Sequence, residues 1–218
     1  MKPFEKWLTQ EIKQTFNLEE VKNHPILTHW LSSDELVTDE EKRKIELLRQ
    51  RLEGKINYWN EDELKFFFIS EYVNIVSFIN SDIYSSFSQR TISATAKDVK
   101  GENITLRGRV EWMVATGEQV PLEPFFFIHE YKPQIKSTPN DPQGQLLISM
   151  YATQQINTRK HPLYGIYVLG RLWYFVVLKG QEFSVSAPFD VLRPNESVQI
   201  IAILKKCKIY IETELGLI

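Results

Sequence analysis

The chain has 218 residues, 26 Lys and Arg against 28 Asp and Glu, and 43% apolar residues. That balance excludes a disordered, collagen-like or coiled-coil chain and fits one domain, or one domain with a helical extension. The longest apolar run, Leu172 to Leu178, is far short of the ~20 residues that span a bilayer, so no membrane association is expected. The N-terminus shows no apolar signal core, and the lone Cys207 excludes an internal disulfide and fits a reducing compartment. A cytoplasmic location is the expectation. A net charge of −2 argues against a protein that grips nucleic acid by charge alone. Locally, however, Lys132, Lys136, Arg159, Lys160, Arg171 and Lys179 face only Asp141 across residues 131–180, a surplus that would accept phosphate.

The first third reads as helical. Phe4, Trp7, Leu8, Ile12 and Phe16 recur at helical spacing and predict one amphipathic helix. Thr38-Asp-Glu-Glu41 has the form of a capping box, with Gly54 placed to end an outer helix whose narrow face is Ile45, Leu48 and Leu52. A third helix is expected to begin after Asn60, with Glu63 at the capping position, and to run deeply buried to about Ile79. From about Arg90 the apolar period shortens to two. Strands are expected at Thr91–Val99, Ile104–Ala115 and Pro124–Lys132. A helix over Gly144–Asn157 follows, then strands at Tyr164–Leu169, Leu172–Leu178 and Glu182–Ser186, and a closing helix from Glu196 to Ile211. The expected fold is therefore α/β with a mixed central sheet.

Common enzyme signatures are missing. Four histidines and one cysteine make no zinc spacing, and neither a phosphate loop nor a nucleophile elbow is present. Cys207, between lysines on the last helix, reads as a structural thiol. One constellation remains. The apolar strand Phe125-Phe-Phe-Ile delivers Glu130 and Lys132 two residues apart, which in a regular strand places both on one face. Glu111 is the isolated acid of the preceding strand. A hairpin centred between Val120 and Pro121 sets Glu111 opposite Glu130, with β-carbons about 4.5–5.5 Å apart. Two such carboxylates repel unless a cation intervenes, and Mg²⁺ is typically held by one or two carboxylates plus waters and phosphates. The plainer alternative is a salt-bridged trio in which Lys132 neutralises Glu130.

These residues resemble the PD-(D/E)XK, or restriction-endonuclease-like, nuclease superfamily. The likeness spans about Asn60 to Leu169 and follows that superfamily's core order of helix, three strands, helix, strand. It implies a helical N-terminal extension over residues 1–59 and a nuclease-like domain over residues 60–218. It further implies hydrolysis of phosphodiesters in DNA. Glu111 and Glu130 would bind Mg²⁺ (or Mn²⁺), and Lys132 would assist the attacking water. Glu71, on the core helix, would be a further metal-site carboxylate. Gln145 resembles the glutamine of the helix after the signature. Arg109, Lys136 and Arg159 are the expected substrate contacts, although Arg109 shares a face with Glu111 and would equally neutralise it. The first acid of the superfamily is usually aspartate, and here it is glutamate. A catalytically silent binding or assembly module is therefore the alternative expectation. The apolar strands from Tyr164 to Leu178 also allow a homodimer.

Overall fold

Local chemistry fixes where two of the helices begin. The Thr38 hydroxyl accepts the Glu41 N–H while the Glu41 carboxylate accepts the Thr38 N–H, and Asn60 and Glu63 repeat the arrangement. Each pair satisfies backbone donors that a first helical turn leaves open. The computed structural model describes residues 2–80, 83–132 and 141–218; at residues 128–132 it describes the strand and not the side chains. In chain order, a 3-10 turn (Phe4–Lys6) leads into α1 (Thr9–Phe16), β1 (Glu19–Glu20), α2 (Pro25–Leu31) and α3 (Asp39–Lys55). Next, α4 (Glu61–Leu64), a π-helical stretch (Lys65–Ile69) and α5 (Ser70–Val73) run on as one helix. Then come β2 (Tyr84–Lys97), β3 (Asn103–Thr116), β4 (Pro124–Lys132) and α6 (Pro142–Ile156). The chain finishes with β5 (Leu163–Leu169), β6 (Leu172–Lys179), β7 (Glu182–Val185), β8 (Phe189–Asp190) and α7 (Pro194–Glu214).

The protein is α/β, with a mixed eight-stranded sheet in the order β1-β7-β6-β5-β4-β3-β2 and β8 beside β6. β2, β3 and β4 are successive antiparallel neighbours, and α6 carries the chain across to β5, which lies parallel to β4. Such a parallel return needs a long crossover, here supplied by α6. β5, β6 and β7 form an antiparallel meander whose two-residue turns begin at Gly170 and Gly180, both with positive φ.

Each face of the sheet carries its own core. Phe4, Trp7, Ile12 and Phe16 join α6 against one face. The helices α2 to α5 and α7 cover the other, where Trp30 lies edge-on to Phe126, Tyr164 and Phe175. The segment 1–59 thus contributes side chains to both cores. Strands Tyr164 to Leu178 are covered on both faces by the chain's own helices, with Trp173 and Phe175 fully buried. The apolar surface behind the homodimer expectation is therefore used within one chain. Cys207 is fully buried in α7, and burial pushes its thiol well above the ordinary value.

Several expectations need correction. The stripe from Phe4 to Phe16 is not one helix, because the chain is extended at Trp7 and Leu8, leaving Leu8 exposed. α3 passes through Gly54 to Lys55. The third helix stops at Val73 rather than near Ile79. Its π-helical stretch leaves Phe66 and Phe67 exposed, while Leu64, Phe68, Ile69, Tyr72 and Val73 are buried. The short α2, capped by the His24 ring accepting the Ile26 N–H, was not legible from periodicity.

Candidate functional site

Apolar alternation predicts the side-facing of a strand residue only while the ladder is regular. In β2 and β3 it is interrupted once. Phe87 and Ile92 lie in the α6-side core although five residues separate them, as do Val110 and Met113, three apart. Both strands therefore reset their alternation at the same level, between the rungs Ser88↔Trp112 and Arg90↔Val110. The residues between those rungs are Gln89 and Glu111. Gln89 has φ 55°, a left-handed conformation that costs a non-glycine residue energy and recurs at functional sites. The Ser88 hydroxyl donates to the Glu111 carbonyl at 3.1 Å.

This reset delivers Glu111 and its neighbour Trp112 to a cleft of ≈ 440 Å³ under the third helix. The opposite wall comes from Lys65, Phe66 and Ile69 of the π-helical stretch, followed by Asn74. π-helical turns inside α-helices are rare and frequent at functional sites. The Lys65 ammonium lies 3.5 Å from the Glu111 carboxylate, with the two side chains only 20% and 13% exposed. At that burial their attraction is screened less than on an open surface. Asp62, also at the cleft, supplies a further carboxylate.

The sequence-predicted site residues have different fates. Glu111 sits in the cleft. The expected hairpin register is corrected by one residue: Trp112 pairs with Ile128 and Met113 with Phe127, so the hairpin is centred on Val120. Glu130 falls at an irregularity of the β4–β5 ladder, between His129↔Tyr167 and Tyr131↔Val168, and Lys132 pairs with Leu169. Simple alternation therefore does not fix the relative facing of Glu130 and Lys132. Their side chains, and the whole of Lys136, lie outside the described residues.

Glu71 is on the outer side of its helix, where it accepts a 2.7 Å hydrogen bond from Arg51 and does not line the cleft. Arg109 is exposed on β3, in register with Thr91. Arg159 is engaged by Glu123, which accepts its backbone N–H at 2.7 Å and pairs with its guanidinium. Burial alone would raise the Glu123 carboxyl. The Arg159 backbone N–H, the Thr158 hydroxyl and the Arg159 charge together hold it below its ordinary value. Gln145 is in the first turn of α6, on the opposite face of the sheet from the cleft.

Most of the cleft was missed: Asp62, Lys65, Phe66, Asn74, Gln89 and Trp112 carry no motif that sets them beside Glu111. Asp141 was counted as a charge and not as a tether. One of its oxygens caps α6 by accepting the Gly144 N–H at 2.9 Å, and the other accepts the Thr9 N–H at 2.6 Å. It thereby fixes the start of α6, and Gln145 with it, to the N-terminal segment. Gly144 leaves room for this junction, since a β-carbon there would stand 2.5 Å from the Trp7 carbonyl oxygen.

Among the described residues no three of His, Cys, Asp and Glu stand close enough together to hold a metal ion. Glu111, whose carboxylate already faces a cationic group, suits a cation site chemically, and its expected co-ligand Glu130 lies outside the described side chains. No protein-family model matches the chain, and no curated protein matches it. Among the described residues no helix is long and apolar enough to cross a membrane.

Proposed function

We propose that the chain is a Mg²⁺-dependent nuclease of the PD-(D/E)XK type that hydrolyses phosphodiester bonds in DNA. The observation that carries this reading is Glu111, a carboxylate on the middle strand of an antiparallel trio, held half-sequestered against a cation in an open cleft. Support also comes from the order of elements: a helix, the strands β2 to β4, the helix α6, and β5 parallel to β4. That is the order of a restriction-endonuclease-like core, with Glu111 on its second strand and Glu130 and Lys132 at the end of its third.

Glu111 and Glu130 would hold the metal, and Mn²⁺ would serve in its place. When bound, the ion supplies Lewis-acid polarisation of the phosphate and a more acidic water. Lys132 would orient that water. Lys65, 3.5 Å from the Glu111 carboxylate, would position it in the resting protein. Gln145, expected beside the metal site, lies on the other face of the sheet from Glu111 and drops out of that role. That leaves Arg109, Lys136 and Arg159 as the candidates for substrate contacts. Arg159, engaged by Glu123, is the weakest of that set.

A second reading has its own observation. Glu111 already faces the Lys65 ammonium at 3.5 Å, an arrangement that a catalytically silent, nuclease-like binding module would also contain. Cleavage of plasmid and single-stranded DNA with Mg²⁺ or Mn²⁺, run with Glu111→Gln, Glu130→Gln and Lys132→Ala, separates the two. Metal-dependent cleavage by the wild type that is lost in all three variants is the expected result. No cleavage, together with no metal binding by calorimetry, leaves the binding module.

A further inference from the structure

We propose that the cleft beside Glu111 receives one unpaired base of single-stranded DNA, with Trp112 and Phe66 as its apolar contacts and the carboxamides of Asn74 and Gln89 at its hydrogen-bonding edge. The inference deepens the nuclease reading, on which it rests for the identity of the ligand.

Size and lining come first. A volume of ≈ 440 Å³ lies in the range of small-molecule sites and admits a heterocycle with part of its sugar. The lining is mixed in the way a base requires. Apolar surface comes from Phe66, Ile69, Val73 and Trp112, and polar groups converge from both walls. A carboxamide offers a donor and an acceptor side by side, the pattern that matches the edge of a base. The Asn74 and Gln89 side chains make no hydrogen bond among the described residues. Gln89 reaches the cleft through a left-handed backbone, which Asn17, Asn23 and Ser77 also adopt elsewhere.

Of the aromatics at and before the π-helical stretch, Phe66 lines the cleft and is 66% exposed; Phe67, its ring 5.8 Å from that of Trp59, and Tyr58 are also exposed. Aromatic side chains in the open are the platforms on which successive unpaired bases stack. Charge decides between single strand and duplex. A duplex presents phosphates outward and hides its base faces, and it needs a basic rim. This cleft sets the carboxylates of Asp62 and Glu111 against the Lys65 ammonium and has no basic rim among the described residues, which leaves base contacts as the main attraction.

The test is fluorescence anisotropy of a short fluorescein-labelled single-stranded oligodeoxynucleotide and of its duplex, both in EDTA so that no metal-dependent step contributes. Wild type, Phe66→Ala and Asn74→Ala are compared, with thermal melts to establish that the variants fold. The expected result is tighter binding of the single strand than of the duplex. Phe66→Ala should weaken single-strand binding by about five- to hundredfold, the range for losing one base–aromatic stack, and Asn74→Ala should weaken it less. Equal binding of both forms, binding of neither, or wild-type affinity in both variants overturns the proposal. Base binding without cleavage by the metal-loaded protein overturns only the nuclease reading. Duplex cleavage that Phe66→Ala leaves unchanged, with no single-strand preference, overturns only the base site.

Discussion

The block formed by β4, α6, β5 and β6 and the cleft under the third helix are built on opposite terms. In the block the strands keep register over most of their length, the turns take glycine where φ is positive, and Phe126, Phe127, Ile166 and Phe175 are fully buried. In the cleft a helix widens to π geometry, a glutamine adopts φ 55°, and two strands lose their alternation at one level. Charged groups sit half-buried in the cleft and large aromatics lie in the open. Regular packing makes most of the scaffold. Three departures from it, the π-helical turn, the left-handed Gln89 and the lost alternation, meet at Glu111, with further irregularities on the β4 ladders. Departures of that kind cost stability unless surrounding structure enforces them, and they mark sites where geometry serves something besides folding.

Substitutions can break that contrast from either side. The largest effect is expected where α2 packs on the block. Trp30→Ala removes the ring that lies edge-on to Phe126, Tyr164 and Phe175 and a 2.8 Å hydrogen bond to the Ile203 carbonyl. It should cost about 3–5 kcal/mol by urea unfolding. A much smaller loss would mean that the N-terminal helices are peripheral to the core.

Glu123→Ala comes next, at about 2–3 kcal/mol, because the Arg159 N–H and the Thr158 hydroxyl lose a charged acceptor. The Glu123 carboxyl is held below its ordinary value in the folded protein. Its contribution is therefore complete above the unfolded-state pKa, about 4.3 for glutamate, and is lost as pH falls through the lower folded value. Acid unfolding of Glu123→Gln should lack that part of the pH dependence. Asp141→Ala should cost about 1–2 kcal/mol as an N-cap. Faster hydrogen exchange at the Thr9 and Gly144 amides would show that both bonds were lost.

A loss of comparable size is expected in the cleft. There Lys65→Met removes the cation facing a carboxylate only 13% exposed and should cost about 1–3 kcal/mol. Its informative readout is calorimetry. Tighter Mg²⁺ binding in the variant would show that Lys65 and the metal compete for Glu111. Unchanged absence of binding would favour the silent module.

How much of this was legible in the sequence follows from the same contrast. β4 has the predicted limits, and β5, β6, β7 and α6 lie within a residue or two of theirs, because each is an apolar run bounded by turn or capping residues. Capping boxes at Thr38 and Asn60 are local chemistry and could be read directly. Glu111 stood out as a lone acid among apolar neighbours. Its surroundings did not, since a π-helical turn and a left-handed glutamine are decided by packing and leave no period. The register error is already present at the turn end, where Ala115 pairs with Pro124, and nothing in the residue types announces it. Phe66 and Phe67 were assigned to the core for the same reason, as hydrophobicity alone cannot distinguish a buried ring from a displayed one.

The buried Cys207 makes the molecule its own clock. It is the chain's one thiol, enclosed where α7 packs on the sheet. A disulfide reagent can reach it only when that helix lifts away. The rate of thiol labelling under native conditions therefore counts openings of the helical layer on the cleft side of the sheet. Because the count needs no added probe, it also reports whether DNA or metal slows those openings.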